Sequence, residues 1–277
     1  MKTIATFLLA SAILFACEET VELDIRQTPT KVVIEGLVTN QVGRQYVRLT
    51  RSASFYESGP TPRVSHAQVT VTDDLGQVVP FVHNPRNYPD SIGYYVPQSP
   101  FTGSIGRSYT LTVRVDEHVY SAVDRMSPAM ELDSLVPAAD PRPSERDMKK
   151  GRTFQVLVFG KEPGTTKDYY LINVYRNDTL VYEPRRGAFT VDDQTLSEKI
   201  QGVPAPVNFR PHDRAVVECL SLSREAFQYY EGLAKLTTGS GGMFDSPPSN
   251  PPSNLSNGAL GFFQASAVTR VATMVEH

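Results

Sequence analysis

The residues able to do chemistry are few and scattered. Five histidines, His66, His83, His118, His212 and His277, include no pair at the short spacing of a zinc site. Two aspartate pairs, Asp73-Asp74 and Asp192-Asp193, are the candidates for a carboxylate dyad or a calcium site. The first runs into Leu75-Gly76 and reads as a turn. The second lacks the D-x-D-x-D-G pattern that wraps a calcium ion, which favours a solvated turn. No G-x-S-x-G elbow for a serine nucleophile occurs. Gly239-Ser240-Gly241-Gly242 lacks the Lys-Ser/Thr that completes a phosphate loop and reads as a flexible loop. Cys219 alternates with Val217 on an apolar run, so a buried, inert thiol is expected there. Six aromatic residues remain: Tyr169, Tyr170 and Tyr175 on one expected strand, and Phe227, Tyr229 and Tyr230 on one expected helix. They would suit a stacking platform for a glycan or peptide, but core packing is the favoured role because one of two paired rings on a strand normally points inward. No catalytic residue, cofactor or metal is expected.

The first residues fix where the chain must live. Lys2 and the apolar run from Ile4 to Phe15 read as an export signal, since the run is too short for a stable membrane span. It ends in Leu14-Phe15-Ala16-Cys17, which resembles a bacterial lipobox. That resemblance implies cleavage before Cys17 and a diacylglycerol on its sulfur, a lipid attachment holding the protein to the outer membrane. Several acyl chains on one residue make desorption slow. The alternative is plain secretion with Cys17 as an ordinary cysteine. Glu18 and Glu19 resemble the acidic signal by which Bacteroidetes lipoproteins reach the cell surface. With Cys17 lipidated, Cys219 has no partner for a disulfide.

The rest of the composition points to β-structure. The chain has 277 residues, with 27 Lys+Arg against 30 Asp+Glu and no basic stripe, which makes nucleic acid a poor candidate partner. Prolines are frequent, and short alternating segments greatly outnumber helical runs. Residues 1–16 are expected to be the signal peptide and 17–30 a lipidated tether. Residues 31–125 are expected to form an immunoglobulin-like or transthyretin-like β-sandwich of about seven strands. Gly36 in the first strand marks a bulge or a close approach. Tyr94-Tyr95-Val96 reads as a short edge strand, and Tyr109, Leu111, Val113 and Val115 face one side of a hairpin. Residues 126–152 read as a proline-rich linker or exposed loop. Residues 153–277 are expected to form a β-rich second domain with one helix at 224–236, capped by Ser223. The two last strands are expected to close its sheet. Thr237 to Gly258, rich in Gly, Pro, Ser and Asn, is expected to be a surface loop and the face that meets a partner.

Together, the lipobox and acidic residues, Lys31-Val32-Val33-Ile34-Glu35-Gly36, the Gly106-x-x-Tyr109-x-Leu111 hairpin, Phe244-Asp245-Ser246-Pro247-Pro248, and Asn254 through Phe263 resemble the Bacteroidetes lipoproteins catalogued as domain of unknown function 4249. The resemblance implies an accessory protein of a TonB-dependent outer-membrane receptor for nutrient uptake, without catalysis. It carries over no binding residue. The alternative is a structural or adhesive protein of the cell envelope.

Overall fold

The structure is a computed structural model that describes residues 29–53, 59–83, 91–164, 167–181, 188–193, 198–238 and 249–276. Cys17, the cleavage motif and the tether up to Thr28 lie outside the described residues. The protein is mainly β, its sheets forming a sandwich or near-barrel arrangement, with one long helix.

The first seven strands are β1 (Val32–Thr39), β2 (Tyr46–Arg51), β3 (Gln68–Asp73), β4 (Val78–His83), β5 (Tyr94–Pro97), β6 (Ser108–Val115) and β7 (His118–Arg125). They share one sheet with an eighth, β15 (Leu260–Ser266), in the order β15-β1-β2-β5-β4-β3-β6-β7. Alternation places Ile34, Leu49, Val71, Leu111 and Val113 on one buried face. Two details differ from the sequence reading. β5 pairs with both β2 and β4 and is internal, because Tyr95 drives into the core and donates its hydroxyl to the Val64 carbonyl. β15 joins this first sheet, parallel to β1, because Phe263 and Ala265 belong to its core.

The sheet curls until its two edges meet. Asp124 on β7 accepts the Ala265 N–H of β15 at 2.8 Å. Asn254 bonds both the N–H and the carbonyl of Phe263 and donates to the Val123 carbonyl, while Ser256 pairs with Ser121. Residues 253–258, the end of the expected surface loop from Thr237 to Gly258, are thus occupied in closing the barrel, and residues 239–248 of that loop lie outside the described residues.

The second half contains a three-stranded sheet, β13-β9-β8, built from β8 (Glu131–Ala139), β9 (Phe154–Lys161) and β13 (Lys199–Pro204). Facing it is a five-stranded sheet of β10 (Tyr169–Arg176), β11 (Thr179–Leu180), β12 (Phe189–Asp192), β14 (Arg214–Leu222) and β16 (Val268–Met274). The expected linker 126–152 therefore contains a nine-residue strand, β8, followed by the short helix α1 (Glu145–Lys149). Only Leu135 of β8 is buried, and an edge strand with so little apolar alternation leaves no clear mark in a sequence. Helix α2 (Arg224–Thr238) begins where Ser223 Oγ accepts the Ala226 N–H. No helix of the described residues is long and apolar enough to cross a membrane.

β15 and β16 follow each other with only Ala267 between them, so one extended run serves the eight-stranded and the five-stranded sheets. At the crossing, Ser221 Oγ donates to the Ser127 carbonyl and accepts the Ala267 N–H. The run needs glycine at one point. Gly261 has φ +98°, and a Cβ there would sit 2.1 Å from the Ile34 carbonyl oxygen. Gly36 meets the side chain of Phe263 at 2.8 Å from its own Cβ position, which is a close approach within a regular register, with no bulge.

Gly261→Ala is expected to cost at least about 2 kcal/mol in urea unfolding, from backbone strain and lost β1–β15 pairing. Gly76→Ala, with φ +85° but open space around it, is expected to cost only about 1 kcal/mol. Burial pushes the Asp124 carboxyl up from 3.8 to about 6, against the lowering effect of the Ala265 N–H. A carboxyl raised on folding is stabilised by its proton. The contribution of Asp124 to stability should therefore fall by on the order of 3 kcal/mol as pH rises from about 4 to about 6, then level off. Asp124→Asn keeps an oxygen for the Ala265 N–H and should flatten that dependence in unfolding curves taken across this window.

Candidate functional site

The acidic pairs prove structural. Asp73 Oδ1 accepts the Leu75 and Gln77 N–H groups at 3.0 and 2.9 Å, and Arg107 binds both Asp73 and Asp74. Asp193 accepts the Asp168 N–H at 2.9 Å, and Lys167 stands 3.8 Å from Asp192, which ties β12 to β10. His66 bonds Asp116, His83 accepts the Gly93 N–H, and no group of three His, Cys, Asp or Glu able to hold a metal occurs among the described residues. Cys219 is fully buried, and burial raises its thiol to about 12, so it stays protonated. Gly239-Ser240-Gly241-Gly242 lies outside the described residues.

The candidate site is a groove of about 590 Å³ where the two halves meet under helix α2. Alternation builds its first wall from the outer face of β2, β1 and β15: Tyr46, Glu35, Leu37, Phe262 and Gln264. β10 supplies the second wall with Leu171, Asn173 and Tyr175, which point away from the core side occupied by Tyr170 and Val174. The helix roofs both. Tyr229 stacks on Phe262 with ring centroids 5.2 Å apart, and Tyr230 donates to Gln264 Oε1 at 2.8 Å.

The six aromatic residues singled out in the sequence therefore separate. Tyr170 is core, and Tyr169 packs on Phe227 at 4.7 Å. Tyr175, Tyr229 and Tyr230 line the groove. The sequence reading missed Tyr46, Phe189 and Phe262, which join the same lining from three other segments. Burial, reinforced by the Glu35 charge, pushes the Tyr46 and Tyr229 hydroxyls up to about 12, so both remain protonated donors near neutrality. Neither hydroxyl has a hydrogen-bond partner among the described residues.

The groove floor is fixed by one charge. Glu218 lies in the middle of β14, a strand covered on both faces, and is fully buried. Arg44, from the loop between β1 and β2, binds both its oxygens; Asn173 Nδ2 and the Tyr175 hydroxyl add bonds at 3.2 and 3.1 Å. Burial works to raise the Glu218 carboxyl, and the hydrogen bonds from Arg44 and Asn173 overcome it, leaving the group below its ordinary value. The arginine is itself aimed. Buried Gln45 donates to the Thr39 and Gln41 carbonyls and accepts the Arg44 N–H, which sets the loop, while Asn40 and Gln41 hold the Val268 backbone. Glu35 is likewise paired, with Arg48 at 3.0 Å. Among the described residues, what the groove presents to a ligand is aromatic faces and aliphatic side chains such as Leu37, Leu171 and Leu233, with tyrosine hydroxyls among them.

Arg44→Met should destabilise the protein by about 3 kcal/mol or more in urea unfolding, because it strands a buried carboxylate. Adding Glu218→Leu should restore most of that loss. A double mutant no better than the single would show that the stranded charge is not the cause.

The sequence of residues 18–271 matches the family described as Domain of unknown function (DUF4249). No curated protein matches the chain. The match covers all three sheets except the last three residues of β16, together with helix α2 and every segment that lines the groove, and on that basis the chain belongs to the DUF4249 family.

Proposed function

We propose that the protein is a non-catalytic lipoprotein, anchored through Cys17 in the outer membrane and exposed at the cell surface, that captures a ligand as the accessory partner of a TonB-dependent nutrient receptor. The observation that carries the ligand-capture part is the groove. Six aromatic rings line it, while its charged groups are taken up in the Arg44–Glu218 and Glu35–Arg48 pairs. Such a surface binds by stacking and neutral hydrogen bonding, which recognises hydroxylated or peptide ligands without reacting with them. The anchor and location are supported by the apolar leader ending in Leu14-Phe15-Ala16-Cys17 and the glutamates after it. The receptor partnership is what the resemblance of the sequence motifs to the Bacteroidetes lipoproteins implies.

The test is recovery of C-terminally tagged protein from native outer membranes in mild detergent, with Cys17→Ala as the unanchored control. Near-equal recovery of one TonB-dependent receptor is expected. Recovery of the lipoprotein alone, where other receptor complexes survive, would overturn the partnership and favour a structural or adhesive role.

A further inference from the structure

The end of the second half that lies away from the β15–β16 crossing carries a cluster of arginines. β10 and β16 end there, β14 begins there, and the β8–β9 connection reaches it. Alternation puts Arg176 on the face of β10 that holds Tyr170 and Val174, opposite the groove residues Asn173 and Tyr175. Its guanidinium lies over the Phe209 ring at 5.4 Å, Nη2 donates to the Asn208 carbonyl, and Nε stands 3.6 Å from Asp213 Oδ2. Asp213 also accepts the Arg210 N–H at 2.8 Å. Arg210 Nε in turn donates to the Lys150 carbonyl at 2.6 Å, close in the chain to Arg152.

Carboxylates are short in this cluster. No hydrogen bond or ion pair among the described residues reaches the Arg152 side chain, and the Nε atoms of Arg152 and Arg176 are both buried without a hydrogen-bond partner. The neighbouring acids are already used: Asp140 accepts from Asn208, Asp147 from Ser144, and Asp213 from Asn177. Burial and the Arg152 charge hold the Arg176 guanidinium below its ordinary value, and the pull of Asp213 and Asp147 does not make up the difference. A buried donor left unpaired beside a like charge costs free energy that an anion would remove.

We infer that Arg152, Arg176 and Arg210 form a binding site for a carboxylate, of the kind carried by an acidic sugar or an acidic peptide side chain. The site is separate from the tyrosine groove, and none of the three arginines lines that groove. Guanidinium groups are planar forks that match a carboxylate with paired hydrogen bonds. Charge favours a ligand with one negative group: three guanidinium groups meet two carboxylates, Asp213 and Asp147, which leaves one positive charge in excess. Half-buried Arg152 and exposed Arg210 give access from solvent, and Arg176 backs them from the core side.

The test is NMR of the full chain carrying Cys17→Ala and isotope-labelled arginine, titrated at constant ionic strength with trigalacturonate, triglutamate and inorganic phosphate. The Nε–H signals are followed, and Arg152→Lys and Arg176→Lys assign them. Saturable movement of the Arg152 and Arg176 signals with at least one of the two carboxylates is expected, and the tighter one names the source. Arg152→Gln and Arg210→Gln should each weaken that binding about tenfold, as the loss of a hydrogen bond between charged groups requires. Arg142→Gln makes the same charge change at an exposed arginine of the β8–β9 connection and should leave the affinity unchanged. Protection of buried Cys219 from thiol reagents reports that each variant is folded. No saturable movement with either carboxylate overturns the site, as does binding that survives both Arg152→Gln and Arg210→Gln. Equal weakening by Arg142→Gln reduces the site to general charge attraction, and tighter binding of phosphate overturns the carboxylate.

Discussion

A carboxylate with no access to water, placed at the centre of the most buried strand, is the constraint to which the architecture answers. Glu218 sits between residues that face the second core, such as Val217 and Cys219, and its own side chain faces the first half. Left alone it would cost several kcal/mol, and the chain removes that cost by bringing Arg44 from about a hundred and seventy residues away. Such a pair is weak evidence for net stability, but breaking it by removing one partner is costly. Arg44 on the β1–β2 loop and Asn173 and Tyr175 on β10 meet on the same carboxylate, which ties the two groove walls to β14.

The same register is enforced from the backbone side. The run through β15 and β16 joins two sheets, so the strand that completes the first sheet leads straight into the one that extends the five-stranded sheet. Helix α2 follows β14 directly and lies over β15, which brings Tyr229 and Tyr230 to the seam. The groove is thus a product of how the halves are joined, and its lining comes from β1, the β1–β2 loop, β2, β10, β11, β12, β14, α2 and β15.

This origin explains what could be read in the sequence. Elements that bury one face announce themselves: Tyr109, Leu111, Val113 and Val115 alternate as expected, the Asn177-Asp178 turn takes positive φ at both residues, and Ser223 caps the one long helix. Elements whose identity depends on a remote partner do not. β8 has one buried residue and needed β9 to be recognised; β15 shows apolar residues but not which sheet they serve. Cys219 was legible as buried because its own strand shows it. Tyr46 as a groove residue was not, because nothing near it in sequence announces Phe262 or Tyr175. The Glu218–Arg44 pair was equally hidden, since a charge in an apolar strand signals a partner but not its address.

The claim on which this account rests is that the two halves form one cooperative unit, locked at the seam that makes the groove. Hydrogen exchange of the intact protein, followed by mass spectrometry across increasing urea, tests it most directly. If the account is right, protection in β6, deep in the first core, and in β14, at the centre of the second, is lost over the same urea range. Loss of protection in one half while the other remains closed would mean that the halves are independent bodies, and that the groove between them is not a fixed site.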